Sequence, residues 1–321
     1  MIKVENLKKA FGTKYAVNGV SFEVERGEVL GFLGPNGAGK STTMRMIMGF
    51  IPPTEGRVTV GGFDMALNPI PGKRLMGYLP ENAPAYTDMT VHGFLGFAAE
   101  LRGLSGGAKK KAVSRAVEMC FLDSVLYQSV DTLSKGYRHR TSLAQSLLHD
   151  PDILVLDEPT DGLDPNQKHE IRTLIRRMGE SKVIIFSTHI LEEVEAVCSR
   201  AIIIDRGKIV ANGTPRELKS KSEYAGAVTL TLLGAVNADV TAKLGALSAV
   251  KETRIIAGEG GRLVLRCIPK KDHVDGIFSR VVAELAQREG WRLEELRVEE
   301  GRLDDVFRGI TLPETQKRVT Q

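Results

Sequence analysis

The sequence has few of the residues that an extracellular or a membrane-embedded fold requires. Its 321 residues include three cysteines, Cys120, Cys198 and Cys267, and a single tryptophan. The cysteines are odd in number and show no metal-ligand spacing, so we expect reduced thiols in a cytosolic compartment. The longest apolar runs, such as residues 183–186 and 201–204, are only as long as a strand. A membrane span needs about 20 apolar residues, so we expect any membrane role to depend on a partner.

Neither sign of charge dominates the chain. Lysine and arginine together number 44 against 40 acidic residues, which gives a net charge of +4. Domains that bind nucleic acid usually carry a pronounced basic excess, so we expect no nucleic-acid partner. The N-terminal residues MIKVENLKKAFG also lack the apolar core of a signal peptide. The apolar fraction of 42% and the length are sufficient for two globular domains.

The order of predicted elements indicates two domains that meet at residue 220. Residues 1–220 alternate strands and helices, which predicts a largely parallel α/β sheet covered by helices. Antiparallel strands are expected over residues 2–24, and a helical subdomain at about residues 83–150. Residues 221–321 follow the order strand, helix, strand, strand, helix, strand, which is typical of a small ferredoxin-like α+β domain. We expect this second domain to serve dimerisation or regulation.

A glycine-rich segment follows an apolar strand at residues 28–33 and precedes a predicted helix. It fits the phosphate-binding pattern G-x-x-x-x-G-K-[ST] at each fixed position. Glycines let backbone N–H groups approach phosphates, and the helix directs its positive N-terminus at the anion. Lys40 adds a charge for the outer phosphates, and the Ser41 hydroxyl suits Mg²⁺. The candidate nucleotide-binding residues here are Gly34, Pro35, Asn36, Gly37, Ala38, Gly39, Lys40, Ser41 and Thr42.

Two carboxylates, Asp157 and Glu158, follow a second apolar strand at residues 153–156. In α/β folds, ligands bind at the carboxyl ends of the strands, where the last side chains are exposed. Asp157 is suited to hold Mg²⁺, and Glu158 to orient or deprotonate an attacking water. Such a pair in isolation is also typical of a solvated acidic turn. Its position after the phosphate-binding segment favours the catalytic interpretation.

Four further segments carry a specific resemblance. Residues 133–137 resemble the LSGGQ signature loop of ABC transporter ATP-binding subunits, and residues 161–164 resemble their D-loop. Residues 187–189 resemble the switch-histidine segment, and residues 77–81 occupy the position of the Q-loop. The resemblance covers residues 1 to about 220. It implies a P-loop ATPase of ABC type that binds ATP and Mg²⁺ and hydrolyses ATP.

The resemblance also implies roles for individual side chains. Glu158 and His189 are the expected catalytic residues; Phe11, Glu81, Ser134, Gly136 and Asp164 are expected to contact the nucleotide; Ser41, Glu81 and Asp157 are the expected metal ligands. Other interpretations of these residues stay open. Phe11 could equally belong to the core, and Tyr15 is a rival for the ring that stacks on adenine. His189 could be a surface residue, and Ser134 a plain helix cap.

Three positions depart from the family pattern. Lys135 replaces the first glycine of the signature, Tyr137 replaces its glutamine, and Glu81 replaces the Q-loop glutamine. The ABC-2-type and gliding-motility-type export subunits resemble this chain in the glutamate and the non-standard signature. Residues 302–307 resemble the end of their C-terminal extension. A carboxylate at position 81 can bind magnesium. If no magnesium shields it, the carboxylate repels the terminal phosphate.

The resemblance implies two partners. In this family the signature of one subunit closes over the P-loop nucleotide of another, so we expect a second copy or a paralogous ATPase subunit. An ABC-2-type permease is expected to bind the segment from Ala83 to Arg102, whose rings could form a groove or simply pack the subdomain. The protein would then lie in the cytoplasm, at the cytoplasmic face of the inner membrane through its permease.

Two other functions remain possible on the residues alone. One is an ABC-type ATPase that acts on nucleic acid or ribosomes, although such proteins usually have two nucleotide domains or long coiled coils. The chain has one P-loop and no heptad pattern. The other is a nucleotide-gated interaction module with little turnover, which the altered signature allows. The transported substrate and the direction of transport depend on a membrane partner that this sequence does not encode.

Overall fold

The structure of the protein is a computed structural model in which the chain divides into two compact units, Met1–Pro215 and Arg216–Gln321. It describes residues 1–81, 86, 88–234, 237–270 and 277–311. Residues 83–85 and 87, at the start of the expected permease-binding segment, lie outside the described residues. Among those that are described, no helix has both the length and the apolar character needed to cross a membrane.

The first unit alternates strands and helices as predicted. Its elements are β1 (Ile2–Phe11), β2 (Lys14–Val24), β3 (Glu28–Leu33), α1 (Lys40–Ile47), β4 (Glu55–Val60), β5 (Phe63–Asp64), α2 (Pro69–Arg74), β6 (Met76–Leu79), α3 (Val91–Leu101), α4 (Gly106–Met119), α5 (Lys135–Leu147), β7 (Ile153–Asp157), α6 (Pro165–Gly179), β8 (Val183–Thr188), α7 (Leu191–Val197), β9 (Arg200–Asp205) and β10 (Lys208–Gly213); α8 (Pro215–Lys219) begins at its last residue. Two short 3₁₀ turns lie between α4 and α5.

These strands form two sheets, which confirms the predicted α/β class. The smaller sheet has the order β2-β1-β4-β5 and is antiparallel. The larger has the order β10-β9-β3-β8-β7-β6 and is parallel apart from its edge strand β10. Every residue of β7 and β8 is buried, because helices and the smaller sheet cover a parallel sheet on both faces. This explains why both strands are continuous apolar runs in the sequence.

The helical part of the unit consists of α3, α4 and α5, which pack against one another. Thr90 is the N-cap of α3, and its hydroxyl accepts a hydrogen bond from the Gly93 N–H at 3.1 Å. The buried residues of α3, among them Phe94 and Leu95, recur at helical spacing and face the other two helices. The predicted helical subdomain is therefore present, and its last helix leads into β7.

The second unit has the predicted ferredoxin-like order. Its elements are β11 (Val228–Leu233), α9 (Asn237–Gly245), β12 (Val250–Glu259), β13 (Arg262–Pro269), α10 (Ile277–Arg288), β14 (Arg292–Val298) and α11 (Leu303–Thr311). The four strands form one antiparallel sheet in the order β12-β13-β11-β14. Alternate residues of β11 (Val228, Leu230 and Leu232) share a buried cluster with Phe278 and Val282 of α10. The alternation therefore marks one covered face of the sheet.

The interior of the parallel sheet generates the first prediction. Phe186 of β8 is fully buried, whereas Phe11 at the end of β1 is 57% exposed. We expect Phe186→Ala to lower the free energy of unfolding by about 3–5 kcal/mol, because it removes apolar contacts and leaves a cavity. Phe11→Ala is the matched control and should cost less than about 1 kcal/mol. Denaturant unfolding of the purified chain measures both, and equal losses would contradict this account of the core.

Candidate functional site

The register of the parallel sheet brings several strand ends to one edge. Leu33 of β3 lies opposite Thr188 of β8, and Asp157 of β7 lies opposite Ser187. Strand β6 pairs in parallel with β7 on the far side. The turns that follow these strands contain the glycine-rich segment, the acidic pair, the switch histidine and residue 81. The sheet therefore collects at one edge four segments that are far apart in the sequence.

The loop between β3 and α1 has a backbone that only glycine adopts without strain. Gly37 has a φ of 78° and Gly39 a φ of 110°, both in the left-handed region. A Cβ on Gly39 would lie 2.5 Å from the Ala16 carbonyl oxygen, and one on Gly34 would lie 2.4 Å from that of Ile204. The pattern glycines are thus required by backbone geometry and close packing. The loop leads directly into the N-terminus of α1, the end at which helices bind anions.

Lys40, the first residue of α1, folds back over this loop. Its Nζ donates hydrogen bonds to the carbonyl oxygens of Gly34 at 2.7 Å and Pro35 at 3.4 Å, and the residue is only 7% exposed. Burial lowers the pKa of Lys40, and the nearby negative charges of Glu158 and Asp157 partly offset this. The sheet register thus brings the P-loop lysine and the acidic pair to the same edge.

One hydroxyl contacts both residues of the acidic pair. The Ser187 Oγ donates a hydrogen bond to Asp157 Oδ1 and accepts one from the Glu158 N–H at 3.2 Å. Glu158 has a φ of 53°, and its Oε2 lies 3.0 Å from His189 Nδ1. Burial raises the pKa of Glu158, while His189 and Lys40 act against that rise. A buried carboxylate of raised pKa that is aimed by a histidine suits a general base.

Ser187 is a site residue that sequence reasoning did not single out. It lies in the segment 187–189 that resembles the switch-histidine segment, and the resemblance implies no role for it. The sequence does contain a signal for Ser187: it is a hydroxyl residue near the end of an apolar strand. A buried hydroxyl needs a polar partner, which points to a role. Its partners lie on the neighbouring strand β7, so only the pairing of the two strands identifies them.

A second group of expected site residues lies at the N-termini of α5 and α6. Ser134 caps α5 and accepts a hydrogen bond from the Tyr137 N–H at 3.3 Å. Asp164 caps α6 in a reciprocal pair with Gln167, whose N–H lies 2.9 Å from Asp164 Oδ1. A Cβ on Gly136 would lie 2.9 Å from Gln167 Oε1, so glycine at this position lets the two helix ends approach closely.

Lys135, which replaces the first glycine of the signature, forms an ion pair within the chain. Its Nζ lies 2.7 Å from Asp161 Oδ2, and its methylene carbons fill the space beside Gly162. The ammonium holds the pKa of Asp161 below its usual value. Both partners are substantially exposed, so the pair contributes at most about 1 kcal/mol to stability. The replacement thus joins the signature segment to the D-loop segment of the same subunit.

The remaining candidates lie at the surface. Phe11 is exposed and has the Lys9 Nζ 5.4 Å from its ring centroid, so it does not belong to the core. Tyr15 is 45% exposed and remains its rival for stacking. Glu81 is exposed two residues after β6, and its charge acts to raise the pKa of Lys40. Glu81 therefore belongs electrostatically to the P-loop site.

The polar groups at this edge fit a magnesium ion that arrives with a nucleotide. No cluster of three or more His, Cys, Asp or Glu side chains that could hold a metal occurs in the part of the chain that the structure describes. Mg²⁺ typically binds one or two carboxylates and completes its shell with phosphate oxygens and water. Asp157, with Ser41 beside the P-loop lysine, provides such a partial ligand set rather than a closed cage.

Comparison with known proteins places the site in a family context. The family model described as ABC transporter matches residues 17–161 of the chain. The linearmycin resistance ATP-binding protein LnrL of Bacillus subtilis (strain 168) is 33% identical over 97% of this chain and 98% of its own length. The Nod factor export ATP-binding protein I of Rhizobium sp. (strain N33) is 36% identical over 73% of this chain and 76% of its own length.

A solved structure has the same fold as the first unit of the chain. It is described as the structure of an ATP binding subunit of an ABC transporter, and it superimposes with a TM-score of 0.64 at 29% identity. The superposition covers 69% of this chain and 92% of that one. The similarity to LnrL extends further and includes almost the whole length of both chains.

The position of Lys40 generates the second prediction. We expect Lys40→Ala to weaken ATP binding by about 1.5–3 kcal/mol, because it removes charge-assisted hydrogen bonds to the phosphates. The dissociation constant is measured by titration calorimetry with Mg-ATP. Lys110→Ala, an exposed lysine on α4, is the matched control and should bind ATP as the wild type does. An unchanged dissociation constant for Lys40→Ala would remove the lysine from the site.

Proposed function

The chain belongs to the family of ABC transporter ATP-binding proteins, and from that premise we propose that it is the ATP-hydrolysing subunit of an ABC-2-type exporter. The proposal depends on one observation: four side chains lie at the same edge of the parallel sheet, namely Lys40, Asp157, Glu158 and His189. That arrangement places a phosphate-binding lysine beside a buried base. Hydrolysis of ATP is the activity of the family, and export is the finer proposal.

Export is supported by two kinds of observation. The relatives reported above are named for linearmycin resistance and for Nod factor export. The chain also has Glu81 and Lys135 at the positions where it resembles the ABC-2-type subunits. We place the protein in the cytoplasm, attached to the inner membrane through its permease, because a membrane partner has to supply the translocation path. The second unit would serve dimerisation or regulation.

In the proposed mechanism, different residues of the first unit have different roles in hydrolysis. Lys40 and the backbone of the P-loop hold the phosphates, and Asp157 with Ser41 holds the metal. Mg²⁺ bound there with the nucleotide would supply charge neutralisation at the phosphates. Glu158 accepts a proton from the attacking water, and His189 Nδ1, 3.0 Å from its Oε2, aims the carboxylate. The Ser187 hydroxyl joins the carboxylate of Asp157 to the backbone of Glu158.

A second copy of the chain is the proposed partner at the signature segment. The N-terminus of α5 combines a helix dipole with the Ser134 hydroxyl, which together suit an anionic group. Gly136 lets this helix end pack closely against the cap of α6, where Asp164 lies. We propose that this surface closes over the nucleotide held by the P-loop of the other copy or of a paralogous subunit.

The proposed permease site is a groove of about 750 Å³ beside α3. Its aromatic lining consists of Phe50, Tyr78, Tyr86, Phe94 and Phe97. Three cations, Arg45, Lys73 and Arg102, also line it, and no acidic side chain does so among the described residues. Arg102 is exposed to solvent at the groove, and partial desolvation of its guanidinium lowers its pKa. We propose that a cytoplasmic helix of the permease binds here with apolar residues and at least one carboxylate.

The proposed base generates the third prediction. We expect Glu158→Gln to retain ATP binding and to lower kcat by roughly 10²–10⁴-fold, the range for a lost general base. Steady-state hydrolysis by the purified full chain measures kcat, and calorimetry with Mg-ATP checks binding. Glu180→Gln, an exposed carboxylate at the C-terminus of α6, is the control and should hydrolyse ATP at the wild-type rate. A near wild-type rate in Glu158→Gln would remove Glu158 from that role.

The groove generates the fourth prediction. We expect Arg102→Glu to weaken binding of the permease by at least about 10-fold, because like charges placed together cost several kcal/mol. A membrane protein that co-purifies with the wild-type chain is co-expressed with each variant, and the retained amount is measured after purification. Basal ATPase activity of the isolated chain should not change. Lys110→Glu on α4 outside the lining is the matched control, and equal retention of the permease by both variants would contradict the docking site.

A further inference from the structure

Glu193 is a buried carboxylate that the proposed roles do not use. It lies on α7, which begins two residues after His189, and none of its surface is exposed. Burial of an unpaired charge is costly, so a fully enclosed glutamate has to be compensated by several hydrogen bonds. Two of the groups that compensate it are threonines, one in the turn that contains Glu158 and one in the turn that contains His189.

Three donors converge on the two oxygens of this carboxylate. Glu193 Oε2 accepts a hydrogen bond from the Thr188 Oγ1 at 2.8 Å. Glu193 Oε1 accepts one from the Thr160 Oγ1 and another from an Arg172 guanidinium nitrogen at 3.4 Å. An ionised carboxylate is the only side-chain group of this size that accepts on both oxygens and presents no donor. The surroundings of residue 193 therefore suit the carboxylate of a glutamate.

The two threonines flank the residues proposed for hydrolysis. Thr188 immediately precedes His189, and its Oγ1 also accepts a hydrogen bond from the Ile190 N–H at 3.0 Å, so the hydroxyl spans the turn that holds the histidine. Thr160 lies two residues after Glu158 and is 1% exposed. One carboxylate thus fastens the turn after β7 to the turn after β8.

We propose that Glu193 is a positioning residue for ATP hydrolysis. By holding Thr160 and Thr188 together, it maintains the separation at which His189 Nδ1 meets Glu158 Oε2. Glu193 has no role in binding the nucleotide, because its oxygens are occupied by the threonines and Arg172. The inference rests on the proposed roles of Glu158 and His189.

The glutamine variant tests the requirement for an acceptor at both oxygens. In Glu193→Gln the side-chain amide presents N–H groups where one threonine hydroxyl donates, so that hydroxyl has to turn and accept instead. The variant also removes the charge that faces Arg172, so the attachment between the two turns is weakened. We expect kcat to fall by roughly 10- to 100-fold, the effect of a small misplacement of reacting groups, while KM and the dissociation constant for Mg-ATP stay at their wild-type values. Glu192→Gln, the exposed neighbour on α7, is the matched control and should match the wild type in both constants.

The threonines provide variants of nearly unchanged shape. Thr160→Val and Thr188→Val each remove one hydroxyl, and we expect both to reproduce the loss in kcat. Thr160→Ser and Thr188→Ser keep the hydroxyl and should restore most of the rate. These variants decide the question even if Glu193→Gln does not fold. Wild-type kcat in both valine variants would overturn the proposal.

A double-mutant comparison separates positioning from general support of the fold. In a His189→Ala background the pair that Glu193 positions is already broken, so Glu193→Gln should cause no further fall in kcat. The same fold-loss in both backgrounds would show a merely structural role and would overturn the inference. If Glu158→Gln itself turns over normally, the proposed base fails; if Glu158→Gln is inactive and Glu193→Gln is not, only the positioning role fails.

Discussion

The hydrogen-bonded register between β7 and β8 is the constraint on which the site depends. It places Ser187 opposite Asp157, so that one hydroxyl reaches the carboxylate of Asp157 and the backbone N–H of Glu158. The pairing of β8 with β3 on its other side brings the glycine-rich loop and Lys40 to the same edge. A shift of one residue in either pairing would turn the polar ends of these strands into the core. The continuous burial of both strands opposes such a shift, because every side chain is packed on a covered face.

Binding and hydrolysis use different kinds of structure in this unit. The phosphate-binding part is backbone and one lysine, and it depends on Gly34 and Gly39, where a Cβ would clash with a carbonyl oxygen. The hydrolytic part consists of side chains on two turns, and those turns are joined through Glu193 rather than through the nucleotide. Variants of the two parts should therefore separate affinity from turnover. Glu193 is fully buried, whereas the His189 side chain is half-exposed.

Much of the fold was predictable because the local signals agree with the tertiary structure. The apolar runs became β3, β7, β8 and β9, and the alternation of elements in the second unit became a ferredoxin-like sheet. The P-loop was predictable because its glycines encode a backbone shape. The roles of Ser187 and Glu193 were not, since their partners lie on other strands and helices. The pairing of Lys135 with Asp161 was hidden for the same reason: the two charges are 26 residues apart, and only the folded chain brings the start of α5 next to the turn after β7.

The central claim is that the P-loop and Asp157 form one site for a nucleotide and its metal. Calorimetric titration of ATP into the chain, with and without Mg²⁺, tests it in the wild type and in Asp157→Asn, which keeps the shape of the side chain and the acceptor for Ser187. Mg²⁺ is expected to strengthen ATP binding in the wild type, and that gain should be lost in the variant. An equal gain from Mg²⁺ in both proteins would contradict the account, because the metal would then be held without the carboxylate at the end of β7.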